Sequence, residues 1–221
     1  MMRPAQGSQR GPETRGRTIH WARFYDAAVG LLFLGKEQMV REMTLDLAGV
    51  KQGDKVLDVG CGTGSLTIAA SSRVGPDGEV HGIDAAPEMV EVACHKAARA
   101  GLDVDFRMGL IEDIPFPDET FDLVLSSLML HHLPHDLKGE GLAEIYRVLK
   151  PGGHFLAVDF EPPASPWFRR LTTWFLGQGM LQSSLQALGA MMDEAGFAEV
   201  EVGATQYRLL AYLRGRAGRK P

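Results

Sequence analysis

The chain has 221 residues, 45% hydrophobic and 23% charged, proportions that suit one globular domain with a full core and exclude a disordered chain. A formal charge of −5 weighs against nucleic acid as a partner, and no apolar run is long enough to span a bilayer. Two cysteines, Cys61 and Cys94, are too few for a disulfide framework or a cysteine zinc site, so a reducing cytoplasm is expected.

In chain order, residues 1–18 hold four arginines against one acid, Glu13, among two prolines and three glycines. They read as a flexible basic arm, because glycine and proline would break the amphipathic helix of a targeting peptide. A single domain is expected over 19–213. It begins with N-terminal helices over 19–48, in two pieces broken near Gly30 or Gly35. Trp21, Phe24, Tyr25, Leu31, Leu32 and Phe33 supply their apolar surface.

Val56-Leu57-Asp58-Val59 then reads as a buried strand running into a turn with glycine at 60, 62 and 64. Alternate glycines permit positive φ and leave the backbone bare of Cβ atoms, so a ligand can approach it. Ser65 to Arg73 follows as a helix, and Glu79 to Asp84 as a second strand ending in an acid. An acid at that tip can accept both hydroxyl hydrogens of a ribose, which favours a nucleoside-type ligand over a glycine turn with no ligand. A dinucleotide site needs G-x-G-x-x-G, with pyrophosphate on the helix N-terminus. Here the third glycine comes one position early, Ser65 takes the late-glycine position, and Asp58 would repel a pyrophosphate. The same carboxylate suits an ammonium or sulfonium charge, which points to S-adenosylmethionine. An NAD-dependent oxidoreductase stays as the rival reading.

Pro87 to Ala100 reads as a helix with proline in its first turn and Gly101 as its stop. Val104 to Arg107 is a short third strand. Phe121 to Ser127 is a fourth, and its carboxyl end falls where the sheet order should reverse, the usual ligand crevice. His131, His132 and His135 follow at once. Pro134 separates His135 from the other two and no His-Glu-x-x-His pattern is present, so no metal is expected. An imidazole here would serve as a general base, or simply hold a hydrogen-bonded position.

A helix with Leu142, Ile145, Val148 and Leu149 ends at the turn Lys150 to Gly153, and His154 to Phe160 is the fifth strand. Residues 161–182 open on Glu161-Pro162-Pro163, then place Trp167, Phe168, Leu171, Trp174 and Phe175 at helical spacing. Three readings stay open for them: a wall for an apolar acceptor, a homodimer or membrane-surface face, and plain core. Ser183 to Gln186 has the form of a capping box for a helix that Gly196 ends. Val200 and Val202 alternate with Glu199 and Glu201 as a half-wet strand, Tyr207 to Leu213 is the last strand, and 214–221 reads as a flexible basic tail.

Val56–Gly64, Gly82–Val90, Pro115–Asp122 and Val148–Gly153 resemble, in order and spacing, the successive motifs of class I S-adenosylmethionine-dependent methyltransferases. The likeness is greatest to the ubiquinone/menaquinone biosynthesis C-methyltransferase group and covers roughly residues 20–160. It implies an α/β, Rossmann-like fold: a seven-stranded, mainly parallel sheet with helices on both faces and the last two strands antiparallel. It also implies methyl transfer by in-line displacement onto a small-molecule acceptor, covered by the N-terminal helices and by 161–182. For the cofactor it implies Asp84 and Ala85 at the ribose, and Met89, Leu110 and Ile111 at adenine. Asp58 would fix the amino group, with Gly60, Cys61, Gly62, Thr63 and Gly64 around the methionine part and Ser126 and Ser127 beside it. His131, His132 and Tyr25 are the candidates for catalysis.

Two departures stand out. Relatives carry an acid just after the glycine of the third-strand loop; Leu110 takes that place, so Glu112 or Asp113 would have to reach the adenine amino group. Tyr25-Asp26 with Gly35 resembles the entry pattern of the quinone methyltransferases. Ala28, Val29, Phe33, Glu37 and Val40 then depart from it, which weighs against a quinone ring as acceptor. A protein that binds the cofactor without turnover is the second rival.

Overall fold

The computed structural model describes residues 15–16, 22–161 and 185–218. The segment Trp167–Phe175, residues 161–182 beyond Glu161, Trp21 and the Ser183–Ser184 cap lie outside these, and with them the pocket-cover, dimer and membrane-surface readings. Two helices open the fold, α1 (Ala22–Leu32) and α2 (Glu37–Ala48). The break between them falls at Leu34 and Gly35, both at positive φ. Gly49 then ends α2 in the left-handed conformation, its N–H returned to Leu45 and Asp46 carbonyls.

Seven strands follow: β1 (Lys55–Val59), β2 (Glu79–Asp84), β3 (Asp105–Met108), β4 (Phe121–Ser127), β5 (Leu149–Phe160), β6 (Phe197–Ala204) and β7 (Leu210–Ala217). They form one sheet in the order β3-β2-β1-β4-β5-β7-β6. All pairings are parallel except those of β7, which runs antiparallel to both β5 and β6. Helices α3 (Ser65–Val74), α4 (Pro87–Ala100), α5 (His135–Val148) and α6 (Leu185–Glu194) connect them. The order reverses between β1 and β4, which opens a crevice at their carboxyl ends.

Strand periodicity divides the core. Leu123, Leu125, Leu156 and Val158 face Val40 and Leu45 of α2 and Leu66 and Ala70 of α3. Val124, Phe155 and Ala157 face Leu142 and Ile145 of α5 and Leu188 and Met192 of α6. Successive side chains of a strand point to opposite faces, so β4 and β5, apolar at consecutive positions, must be covered on both.

Four boundaries differ from the sequence reading. The third strand is shifted by one residue, to Asp105–Met108. The Lys150–Gly153 turn is absorbed into β5: partner positions jump from Phe121↔Leu149 to Leu123↔His154, and Gly152 takes φ +83° inside this irregularity. The last strand starts at Leu210 and continues to Ala217, so the first part of the supposed loose tail is paired structure. Its basic residues are the outward half of an alternation: Leu213, Gly215 and Ala217 are buried, while Arg214 and Arg216 reach Glu201 and Glu199. Finally, Arg15 of the supposed free arm pairs with Asp136 and Glu140 of α5, each at 2.7 Å.

Candidate active site

At the end of β1 the chain turns through Gly60 and Gly62, with φ of +74° and +53°. The N–H groups of Gly60 and Cys61 donate to the Ile83 carbonyl at 2.9 and 3.0 Å. Asp84, next on β2, accepts from the Gly62 N–H and the Ala86 N–H, each at 2.9 Å. One acid therefore binds the glycine turn to the start of α4. Burial pushes its carboxyl up, and the two amide bonds pull it back. Two accepted bonds leave lone pairs on a carboxylate for a further pair of hydroxyl donors.

Beside this junction lies a hollow of about 700 Å³, counting its open mouth. Gly60, Gly62, Asp84, Ala85, Met89, Leu110, Ile111, Tyr25 and His132, all named from sequence, line it. Val59, Gly109, Glu112, Leu128, Met129, Leu133 and Gly16 complete the wall. Over Gly60 lies Met129, whose Cγ would meet an added Cβ at 2.3 Å; over Gly62 lies the Tyr25 ring, at 3.7 Å. The bare turn is thus roofed by two side chains. Tyr25 is largely buried, and that burial, then the carboxylates led by Asp84, push its phenol up to about 12.

The remaining named residues are not part of the lining. Gly64 faces Phe106 and Ala93, which an added Cβ would meet at 2.6 and 2.8 Å, so it serves helix packing rather than ligand approach. Cys61 is buried in the same cluster with Ala93, Ala97 and Phe106, and burial lifts its thiol. Thr63 donates to Asp26 at 2.6 Å, and Lys96 binds Asp26, Ser65 and Thr63, which ties α1 to the first turn of α3 and to α4. Asp58 is 1% exposed and accepts from the Thr67 hydroxyl at 2.7 Å. Its burial raises the carboxyl to about 7; the Thr67 hydroxyl opposes this and Asp84 adds to it. Ser126 is buried, and its Oγ finds no hydrogen-bond partner among the described residues; Ser127 is half-buried on the last position of β4.

The histidines divide. His132 lines the hollow, whereas His131 lies behind it with its ring held by Asp159: Nδ1 is 2.6 Å from Oδ1, and the His131 N–H donates to Oδ2 at 3.1 Å. The acid loop is also anchored from behind. Arg147 donates to the carbonyls of Ile114 and Phe116 at 2.9 Å, and Glu144 accepts the Ile114 N–H at 2.9 Å. This holds the loop that carries Leu110, Ile111 and Glu112. Sequence reasoning missed Met129, Leu133 and Asp159. Asp159 had a readable signal, an acid near the carboxyl end of a buried strand, while Met129 and Leu133 look like ordinary core positions.

A reversed parallel sheet with an acid at the β2 tip over a glycine turn defines the nucleoside-binding class of α/β proteins. Residues 56–153 match the methyltransferase domain family. The ubiquinone/menaquinone biosynthesis C-methyltransferase UbiE of Pseudomonas paraeruginosa is 33% identical over 215 residues, covering 86% of this chain and 83% of that protein. A demethylmenaquinone methyltransferase of a Geobacillus species is 32% identical, covering 86% and 91%. A solved S-adenosylmethionine-dependent methyltransferase from Aquifex aeolicus superposes with a TM-score of 0.67 at 27% identity, covering 80% of this chain and 89% of that one. The chain belongs to the S-adenosylmethionine-dependent methyltransferases of the UbiE type. It transfers a methyl group from S-adenosylmethionine to a small-molecule acceptor. The oxidoreductase reading is thereby set aside.

The residues present fit that cofactor. The Asp84 carboxylate suits a ribose diol, apolar Met89 and Ile111 suit a flat base, and Gly62 leaves the turn bare, with the Tyr25 ring 3.7 Å from where a Cβ would stand. Among the described residues, no helix is long and apolar enough to cross a membrane.

Proposed function

We propose that the acceptor is an aromatic ring bearing a hydroxyl, a phenol or quinol, methylated on carbon; against the departures at Ala28, Val29, Phe33, Glu37 and Val40 from the quinone entry pattern stand the lining of the hollow and the relatives' names. The observation that carries this is the character of the hollow beyond the glycine turn. Leu128, Met129 and Leu133 make part of its wall apolar, and beside the Asp84 and Glu112 carboxylates it carries the polar side chains of Tyr25 and His132. Leu128 is held at φ +55°, a strained position for a branched residue, with its N–H on the Val158 carbonyl. The relatives' names, which include demethylmenaquinone as a substrate, support the same class.

In this reading Asp84 accepts the ribose hydroxyls and keeps the glycine turn in place. Met89 and Ala85 face Leu110 and Ile111 across the base, and Glu112 takes over the recognition of its amino group from the position occupied by Leu110. Asp58 and the turn amides orient the amino-acid end. The bound cofactor supplies an electrophilic methyl on a good leaving group. The chain's own task is then to align the ring carbon with it and to exclude water. Met129 and Tyr25 serve exclusion, because both lie over the glycine turn. The free thiols of Cys61 and Cys94 support work in the cytoplasm.

The test is incubation with methyl-labelled S-adenosylmethionine and chemically reduced demethylmenaquinone, followed by mass spectrometry. Transfer to a ring carbon of the quinol and not of the oxidised quinone is expected, since only the quinol carries hydroxyls that enrich the ring. Transfer to amines or thiols but to no hydroxyl-bearing ring would overturn the assignment.

A further inference from the structure

We propose that His132 is the general base that takes the acceptor's proton, and that His131 with Asp159 is the positioning pair that fixes it. This rests on the reading of the acceptor as a hydroxyl-bearing ring. Three groups from two elements stand in line. His132 borders the hollow. The His131 ring lies against it, with centroids 3.9 Å apart and planes at 44°. Behind His131 stands Asp159, on β5, opposite the end of β4.

The pair is built, not incidental. The side chains of His131 and Asp159 are 5% and 3% exposed. Asp159 receives three donors: the His131 ring at 2.6 Å, the His131 backbone N–H at 3.1 Å and the Phe160 N–H at 2.7 Å. A carboxylate facing Nδ1 keeps the proton on that nitrogen and fixes the ring plane. The Phe160 ring meets the His131 ring edge-on at 5.1 Å and closes the remaining side. A ring so clamped is a fixed wall against which the His132 ring rests.

Titratable groups approach the pair from three elements. Asp159 approaches from β5, and Tyr25 from α1 has its phenol raised first by burial and then by Asp84, Asp26, Asp159 and Asp58. From α5, buried Lys138 feels Asp159 as well, and burial lowers its ammonium.

The step balances. The ring hydroxyl gives its proton to the unprotonated nitrogen of His132. Its electrons raise the nucleophilicity of the adjacent ring carbon, which bonds to the methyl as the methyl–sulfur bond breaks onto sulfur. The ring-carbon proton is lost afterwards to solvent, restoring the aromatic ring and its hydroxyl once His132 returns the first proton.

The test uses the full chain, with single-turnover transfer to chemically reduced demethylmenaquinone from pH 5 to 9, calorimetry with S-adenosylhomocysteine, and imidazole nitrogen NMR. His132→Gln should lower the transfer rate ~10²–10⁴-fold and abolish the rise of rate with pH, with S-adenosylhomocysteine affinity within about threefold of wild type. Asp159→Asn must turn an amide NH₂ toward one of its donors. It should lower the rate ~10–100-fold and shift the His131 ring proton away from Nδ1. His132→Gln at wild-type rate across the pH range, or a His131 ring carrying its proton on Nε2 in the wild type, would overturn the proposal. If the wild type methylates no quinol, the acceptor assignment fails. The pair is then judged by NMR alone: Nδ1–H in wild type, lost in Asp159→Asn, upholds it, and Nε2–H rejects it.

Discussion

Asp58→Asn should stabilise the ligand-free protein and weaken its hold on the cofactor, two effects that seldom share one substitution. The carboxyl is 1% exposed, and burial lifts it from the ordinary 3.8 to about 7. A carboxyl raised on folding supports the fold fully below its unfolded value and loses that support as pH climbs through the folded one. From 3.8 to about 7 the difference is ~4 kcal/mol at 1.36 kcal/mol per pH unit. Asparagine keeps the size and an acceptor for Thr67 but has no charge to bury. At pH 4 the variant and wild type should melt alike. At pH 8 the variant should be more stable by roughly 2–4 kcal/mol, or ~4–16 °C for a chain of this length. In the same pH 8 buffer, S-adenosylhomocysteine should bind ~10–100-fold more weakly, the scale for losing a charged hydrogen-bond partner. Scanning calorimetry across pH 4 to 9 and titration calorimetry read the two effects. A variant that melts at or below wild type at pH 8 would refute the buried-charge reasoning. One that is stabilised but binds as tightly would remove Asp58 from the ligand.

Other outcomes follow from the same geometry. Gly64→Ala sets a Cβ 2.6 Å from Phe106 at φ +76°, so thermal unfolding should show a loss of ~2–5 kcal/mol, left-handed strain plus overpacking. Glu112→Gln should narrow the preference for S-adenosylhomocysteine over its inosine analogue by ~10-fold in calorimetry, because a neutral amide accepts more weakly from an amino group than a carboxylate and can also donate to the inosine carbonyl. Arg147→Ala removes donors from the Ile114 and Phe116 carbonyls; stability should fall ~1–3 kcal/mol, with faster amide exchange at residues 110–116.

The sheet was legible because its strands are apolar runs bounded by glycines, and because Asp84 ends one of them. Strand β7 was cut short in the reading, since Arg214 and Arg216 resemble a basic tail until Gly215 and Ala217 are seen to alternate with them. Within the turn, sequence cannot separate a glycine that admits a ligand from one that admits a neighbour. Gly62 borders the hollow with space above it, whereas Gly60 packs under Met129 and Gly64 on Phe106 and Ala93. Asp159 was readable as an acid near the end of a buried strand, but its role was not: that exists only because β5 lies beside β4, a long-range pairing that places it against His131.

Asp84 joins the turn, the helix and the ribose position, so its removal tests the account most directly. Titration of Asp84→Ala with S-adenosylhomocysteine should show affinity ~10–100-fold below wild type, equivalent to ~1.5–3 kcal/mol for a lost charged acceptor. A folded Asp84→Ala protein that binds with the wild-type dissociation constant would contradict it.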